Sequence, residues 1–167
     1  LADGGAFDGL RVELLEGEIF VMAPSGSDHN FGIQELNHWL VRALPVGLRV
    51  RTQLPLAADD DNEPQPDFAI VREGTEKRGE VPESALLAIE LSVSSLRDDL
   101  GRKARIYARA GIPEYWVIDV KARELHVHRE PTSDGYRQVS RTTALSSVTS
   151  TAVPGLALDL TNIFVKR

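Results

Sequence analysis

A nearly continuous apolar run near the middle of the chain constrains its fold most strongly. The run covers residues 85–91, Ala-Leu-Leu-Ala-Ile-Glu-Leu, and its only polar residue is Glu90. A run of this kind without alternation is typical of a strand that is buried on both faces of a sheet. Because a buried carboxylate is costly without compensation, Glu90 requires a partner, a proton or a metal ion. The run therefore predicts a covered sheet that contains a compensated charge.

Patterns on either side of this run predict two main helices. Phe31, Leu36 and Leu40 lie at helical spacing and predict a first helix over residues 29–44, with Trp39 and Ala43 on the same stripe. A second helix is predicted over residues 96–110, where Gly-Ile-Pro follows and stops it. No Gly-rich phosphate loop stands between a strand and either helix, which disfavours a doubly wound nucleotide-binding fold.

Strands are predicted before, between and after the helices. Residues 11–15 and 18–22 flank a Glu-Gly turn and predict a hairpin. Further strands are predicted over residues 48–54, 67–72, 86–91, 114–120, 124–129 and 136–139. The Ser/Thr-rich tail, residues 142–167, predicts edge strands and a closing segment. This order predicts an α/β or α+β fold with a mixed central sheet, two flanking helices and extra N- and C-terminal β-strands.

Length and composition fit one compact unit. The chain has 167 residues and 42% hydrophobic content, which predicts a single domain over residues 11–167, preceded by a frayed terminus over residues 1–10. It contains neither an apolar run long enough to cross a membrane nor a signal-peptide pattern. It also contains no cysteine, which fits a reducing compartment, so we expect a cytoplasmic protein without a membrane partner.

The net charge of −6 limits the classes of nucleic-acid partner. Phosphate neutralisation dominates nucleic-acid affinity, so this charge argues against a protein whose main role is to grip nucleic acid. It does not exclude a nuclease, because a metal site concentrates carboxylates and the binding face can still be locally basic.

Two carboxylates are predicted to lie at one end of the sheet. Asp67 follows Pro66, and proline favours a strand end, while Glu90 lies near the end of its own strand. If these strands pair, both carboxylates reach the same cleft. Two hard oxygen ligands on rigid elements, completed by waters, suit Mg²⁺ or Mn²⁺. Taken singly, Asp67 could instead cap a turn and Glu90 could pair with an arginine.

Lys103 is predicted to supply a positive charge to this cleft. A regular helix places Lys103 at the flank of an apolar stripe that includes Leu100 and Tyr107, and so angles it toward the sheet. The alternative is an ordinary helical ion pair between Lys103 and Asp99, four residues earlier. Together, the acid, the second acid and the lysine predict a site for a divalent metal and a phosphate.

Several stretches of the sequence resemble the Uma-type family of inferred restriction endonucleases, within the PD-(D/E)xK nuclease superfamily. The matching stretches are residues 15–19, 22–24, 63–67, 89–92, 99–103 and 107–119. The most distinctive is Gly-Ile-Pro-Glu-Tyr-Trp at residues 111–116. The resemblance implies a restriction-endonuclease-like core and Mg²⁺-dependent hydrolysis of DNA phosphodiester bonds, with Mn²⁺ as a substitute. It also implies that Asp67 and Glu90 are metal ligands and that Lys103 completes the catalytic set.

The chain departs from the superfamily pattern at one position. The superfamily lysine normally stands where this chain has Ser92, whereas in the Uma-type family it comes from the next helix, at the position that Lys103 matches. The spacing from Glu90 to Lys103 is one residue shorter than usual. Related nucleases often carry another acid on or near the first helix, and the candidates here are Glu18 and Glu35. His29 at the helix start and Tyr107 are further candidates for the border of the site.

Two other functional readings remain open. A serine hydrolase that uses Ser94 or Ser95 is disfavoured, because no Gly-x-Ser-x-Gly nucleophile elbow is present. A non-catalytic or regulatory module that binds nucleic acid or protein on a nuclease-like fold is the main alternative to the enzyme. Because cleavage of both DNA strands requires two sites and twofold dimers are the commonest oligomers, we also expect a homodimer.

Overall fold

A six-stranded mixed sheet forms the centre of the protein. The structure is a computed structural model that describes residues 7, 9–22, 24–75 and 80–164. Hydrogen bonds join the strands in chain order: β3 (Leu48–Thr52), β4 (Phe68–Arg72), β5 (Leu87–Ser92), β6 (Glu114–Asp119), β7 (Glu124–Thr132) and β8 (Gly135–Thr142). The neighbours β5 and β6 are parallel and the other pairs are antiparallel. The predicted mixed sheet is confirmed.

The apolar run forms the strand that was predicted from it. Every residue of β5 is buried, and its side chains alternate between two separate cores. Leu87, Ile89 and Leu91 face one core, and Ala88 faces the other. Glu90 therefore lies on the Ala88 face, since residues two apart in a strand share a face.

The first helix, α1 (Ser27–Ala43), covers one face of the sheet. It begins at Ser27, slightly earlier than predicted, and buries Leu36 and Leu40, whereas Trp39 is 36% exposed and does not join the predicted stripe. Gly32 allows the close approach, because a Cβ at this position would lie 2.2 Å from Leu91 Cδ2.

The second helical stretch, residues 96–109, differs from the regular helix predicted. It consists of α2 (Leu96–Asp98), a π-helical segment (Asp99–Lys103) and α3 (Ala104–Arg109). A π-helix has more residues per turn, so the segment rotates the buried face. Asp99 and Lys103 are both buried, while Leu100 and Tyr107 of the predicted stripe still pack against the core on the Ala88 face.

Two smaller two-stranded sheets lie outside the central sheet. The hairpin of β1 (Val12–Leu15) and β2 (Glu18–Val21) turns at Glu16-Gly17, both with positive φ, as predicted. In the tail, β9 (Val148–Thr149) and β10 (Ala157–Leu158) form a separate two-stranded sheet instead of extending the central one, and a 3₁₀ helix (Thr161–Phe164) follows.

Buried Glu114 fastens this tail to β6. Its carboxylate accepts hydrogen bonds from Ser150 Oγ and the Ala152 amide on one oxygen, and from Arg129 and the Trp116 indole on the other.

The predicted frayed terminus, residues 1–10, falls mostly outside the described residues. Among those described, no helix is both long and apolar enough to cross a membrane.

Candidate active site

Antiparallel pairing brings Asp67 and Glu90 to the same end of the sheet. Phe68 of β4 is opposite Ile89 of β5, so Asp67, just before β4, is next to Glu90. The Asp67 amide donates to Glu90 Oε2 at 3.3 Å, and the Leu91 amide donates to Asp67 Oδ2 at 2.9 Å. The backbone thus fixes both carboxylates at the positions that the sequence predicted for them.

Three donors hold the carboxylate of Asp67. Oδ2 also lies 3.1 Å from His29 Nε2, and Oδ1 accepts from Gln53 Nε2 at 3.3 Å. Burial alone would raise the pKa of Asp67, but the hydrogen bonds from His29, the Leu91 amide and Gln53 outweigh it and leave the pKa lowered. Asp67 is therefore ionised and held in one orientation.

Glu90 has the opposite electrostatic balance. Burial raises its pKa well above the usual value, and the neighbouring acids Asp67, Asp99 and Glu13 add to the rise against the opposing effect of Lys103. Its Oε1 accepts from Lys103 Nζ at 3.1 Å and from the Tyr107 hydroxyl at 2.9 Å. Without a further cation, the charge on Glu90 is only partly compensated.

Lys103 lies between two acids from distant parts of the chain. Its Nζ is 2.9 Å from Glu13 Oε1 as well as 3.1 Å from Glu90 Oε1, and the side chain is 8% exposed. Burial would lower the pKa of Lys103, but Glu90 and Glu13 outweigh it and raise the pKa. The contact with these acids replaces the simple helical pair with Asp99 considered from the sequence. Despite the shorter spacing, Lys103 reaches Glu90.

The third acid in the cluster is Glu13, which the sequence did not single out. Glu18 is exposed on β2, and Glu35 is half-buried on α1; neither lines the cleft. Glu13 is 5% exposed, and its Oε1 also accepts from the Gln65 amide at 2.7 Å. Strand alternation puts Glu13 on the face of Leu15, but Val12 and Leu14 are also apolar, so the sequence alone does not show which face is inside.

The remaining predicted residues fall into two groups. His29 and Tyr107 touch the acids directly, and hydrogen bonding to Asp67 raises the pKa of His29. His29 Nδ1 is buried and has no hydrogen-bond partner within the described part of the chain. Ser92 is in the second group: its hydroxyl lies 3.4 Å from Ser95 Oγ, which donates to buried Asp99 at 2.5 Å.

The acids, His29 and Lys103 line an open cleft of about 410 Å³. Four buried carboxyl groups meet there, while one lysine supplies the buried positive charge; the acids are Glu13, Asp67, Glu90 and Asp99. Among the described residues, no group of three or more histidine, aspartate or glutamate side chains is placed to hold a metal ion. The donor set fits a divalent ion held by Asp67 and Glu90 with waters in the other positions, the usual way in which proteins bind Mg²⁺.

Comparisons with known proteins agree with this fold. The structure is similar to one described as a putative nuclease belonging to DUF820 from Anabaena variabilis ATCC 29413, with a TM-score of 0.73 and 16% identity over 92% of this chain and 89% of that chain. No protein of curated function gives a significant match. Residues 6–161 match the Uma2 family, described as "Putative restriction endonuclease". The predicted family and fold are thus confirmed, and because the match spans nearly the whole sequence, the chain belongs to the Uma2 family and is nuclease-like in function.

Proposed function

We propose that this protein is a Mg²⁺-dependent endonuclease that hydrolyses DNA phosphodiester bonds. The observation that carries the proposal is the junction of Asp67 and Glu90 on adjacent strands, with Lys103 Nζ 3.1 Å from Glu90 at the wall of an open cleft. Two carboxylates and a buried cation in one cleft suit the binding of a divalent ion and a phosphate. Family membership supplies the prior for nuclease chemistry.

The residues divide the work by their electrostatics. Asp67, ionised and fixed by three donors, would hold the ion, and Glu90 would provide a second oxygen ligand. Bound Mg²⁺ would lower the pKa of water and offset charge on the phosphate. A cation beside Glu90 would also offset the effects of burial and of the neighbouring acids, which raise its pKa.

Lys103 and His29 provide positive charge from opposite sides of the acids. Lys103 is pinned by Glu13 and Glu90, so its ammonium faces the cleft without needing to reorganise. His29 supports Asp67 from α1, and its raised pKa favours the protonated ring. We assign Lys103 to phosphate or water contact and His29 to positioning of Asp67.

Cleavage of supercoiled plasmid in Mg²⁺, Mn²⁺ or EDTA tests the proposal. Wild type should nick the plasmid with either metal and stop in EDTA. Asp67→Asn, Glu90→Gln and Lys103→Met should each lower the rate by at least about 10²-fold, as expected for loss of charge stabilisation at a reacting centre. Asp134→Asn, which changes an exposed acid in the turn between β7 and β8, is the matched control and should cleave normally.

The same assay separates the enzyme from the non-catalytic alternative. A wild-type protein that binds DNA but does not nick it, whichever divalent metal is added, would support a regulatory binding module. Nicking that survives Asp67→Asn and Glu90→Gln at the wild-type rate would rule out this cleft as the source of activity.

We further propose that the protein acts as a homodimer in the cytoplasm. Cleavage of both strands calls for two sites, and a twofold dimer supplies them. Trp39 on α1 is 36% exposed, whereas Trp116 is fully buried, so Trp39 is the aromatic residue available for a subunit interface. Light scattering should give a dimer mass for wild type and a monomer mass for Trp39→Asp.

A further inference from the structure

A second groove continues from the active-site cleft along residues 94–105. It has a volume of about 530 Å³ and shares Ser94, Ser95 and Asp98 with the cleft. Its other lining residues are Arg97, Gly101, Arg102 and Arg105. In a chain whose net charge is −6, this groove collects three arginines around a single acid.

The arginines differ in how they are held. Arg102 donates to Asp98 Oδ1 through Nε and Nη2, at 2.9 and 2.7 Å, and lies over the Phe20 ring at 4.3 Å from its centroid. Arg97 and Arg105 are exposed, and within the described part of the chain neither has an ion-pair partner. Arg102 is thus held in place at the side of the groove, while the exposed guanidinium groups of Arg97 and Arg105 are available to contact a ligand.

Gly101 separates the two free arginines. Residues 97, 101 and 105 recur every four positions, so Gly101 lies between Arg97 and Arg105 on one side of the helical stretch. A Cβ at Gly101 would meet no atom within 4 Å, so protein packing does not require glycine there. Glycine is also the least favoured residue of a helix interior after proline. The missing side chain leaves the backbone open to a close approach from outside.

We propose that this groove binds the phosphate backbone of the DNA substrate beside the scissile bond, an inference that rests on the proposed function. Arg97 and Arg105 contact two phosphates a few nucleotides apart on one strand, and Gly101 lets the strand pass close to the helix between them. Eight residues of a regular α-helix would rise by about 12 Å, and the π-helical segment between the two arginines brings them somewhat closer. This spacing corresponds to a few nucleotides at ~3.4 Å of axis per step. The groove opens at Ser94 and Ser95, so a strand bound there enters the cleft.

Fluorescence anisotropy of a labelled DNA duplex in Ca²⁺, across a series of salt concentrations, tests this binding without cleavage. Each phosphate contact contributes roughly 0.9 to the slope of log affinity against log salt. Arg97→Ala/Arg105→Ala should lower that slope by about 1.8 and weaken binding at every sequence tested. Gly101→Ala should weaken binding while the melting temperature stays equal or rises. Arg109→Ala is the control, because Arg109 lies on the same helical stretch beside Glu16, outside the groove.

The outcomes separate this inference from the proposed function. An unchanged slope in the double variant, with normal binding by Gly101→Ala, overturns the phosphate-binding role of the groove even if the wild type cleaves DNA. A lowered slope in the double variant of a protein that never cleaves DNA supports the phosphate-binding role and overturns the proposed endonuclease activity. A loss of about 0.9 in the slope of Arg109→Ala, the value for one phosphate contact, would show diffuse electrostatics and also overturns it.

Discussion

Lys103 Nζ donates to Glu13 Oε1 at 2.9 Å, across 90 residues of sequence. The contact joins the N-terminal hairpin to the π-helical segment at the wall of the cleft. Because Glu13 contacts Lys103 directly, we propose that it is a positioning residue that sets where the ammonium lies. The carboxylates of Asp67, just before β4, and of Glu90 on β5 would then act with a lysine whose place is fixed from a third element.

Glu13→Gln should slow DNA cleavage by about 10²-fold, because small misplacement of a catalytic group has effects of this size. The amide retains an oxygen near Lys103 but removes the charge. We expect kcat to fall while KM for DNA changes little, as measured in steady-state kinetics with a fluorescent duplex. A purely structural role would instead reduce the fraction of folded enzyme and leave kcat per active site unchanged, which active-site titration distinguishes. Glu18→Gln, an exposed acid of the same hairpin, is the control; an equal loss there would contradict this role of Glu13.

Glu90→Gln should stabilise the metal-free protein at neutral pH. Burial raises the pKa of Glu90 above its usual 4.5, so the protonated form adds stability that is present at low pH and is lost as the pH rises through the folded-state value. Wild type in EDTA should therefore melt at lower temperature at pH 8 than at pH 5. The variant should show a smaller decrease, and Mn²⁺ should raise the melting temperature of wild type alone. If Glu90→Gln melted below wild type at pH 8 in EDTA, the charge on Glu90 would not be destabilising the metal-free protein, which would contradict this prediction.

Glu114→Gln should destabilise the fold near neutral pH. Although burial would raise its pKa, hydrogen bonds from Ala152, Ser150 and Trp116, together with Arg129, lower it. A carboxyl with a lowered pKa adds stability above its unfolded value of 4.5, and that stability is lost as the pH falls through the folded value. Urea denaturation should show a loss of about 1–3 kcal/mol at pH 7 and a smaller one at pH 4. Glu130→Gln changes an exposed acid and is the control. A loss of the same size there would argue against a stabilising role for the buried hydrogen bonds of Glu114.

Gly32→Ala should weaken the packing of α1 on the sheet. The new methyl would meet Leu91 Cδ2 at 2.2 Å, and overpacking of this kind costs about 1–3 kcal/mol. Leu91→Val in the same chain should restore part of the stability, since it shortens the opposing side chain. Thermal melts of the two single variants and the double variant measure the coupling, and simple additivity would show that the two residues do not clash.

The sequence predicted the parts of the site that depend on local pattern and strand order. The unbroken apolar run identified β5, and a charge within it pointed to Glu90. Pro66 placed Asp67 at a strand end, and the two acids were expected to meet if their strands pair, a condition that the antiparallel register of β4 and β5 satisfies. The proline, periodicity and the burial cost of a carboxylate were enough to place each acid along its own strand.

Two features of the site required tertiary information. The π-helical segment arises where Asp99 and Lys103 are both turned inward, and helical periodicity at a fixed angle per residue does not predict it. Glu13 comes from a hairpin whose alternation is ambiguous, since apolar residues occupy both faces. Its partner Lys103 lies in the helical stretch, so neither the strand pattern nor the helix pattern could predict the ion pair between them.

Anomalous diffraction from crystals soaked in Mn²⁺ tests the proposed metal site. We predict a single strong peak bridging Asp67 and Glu90, absent from Asp67→Asn crystals grown and soaked in the same way. Crystals that show no peak at these carboxylates, under Mn²⁺ concentrations that support DNA cleavage in solution, would contradict the metal-dependent mechanism proposed for this cleft.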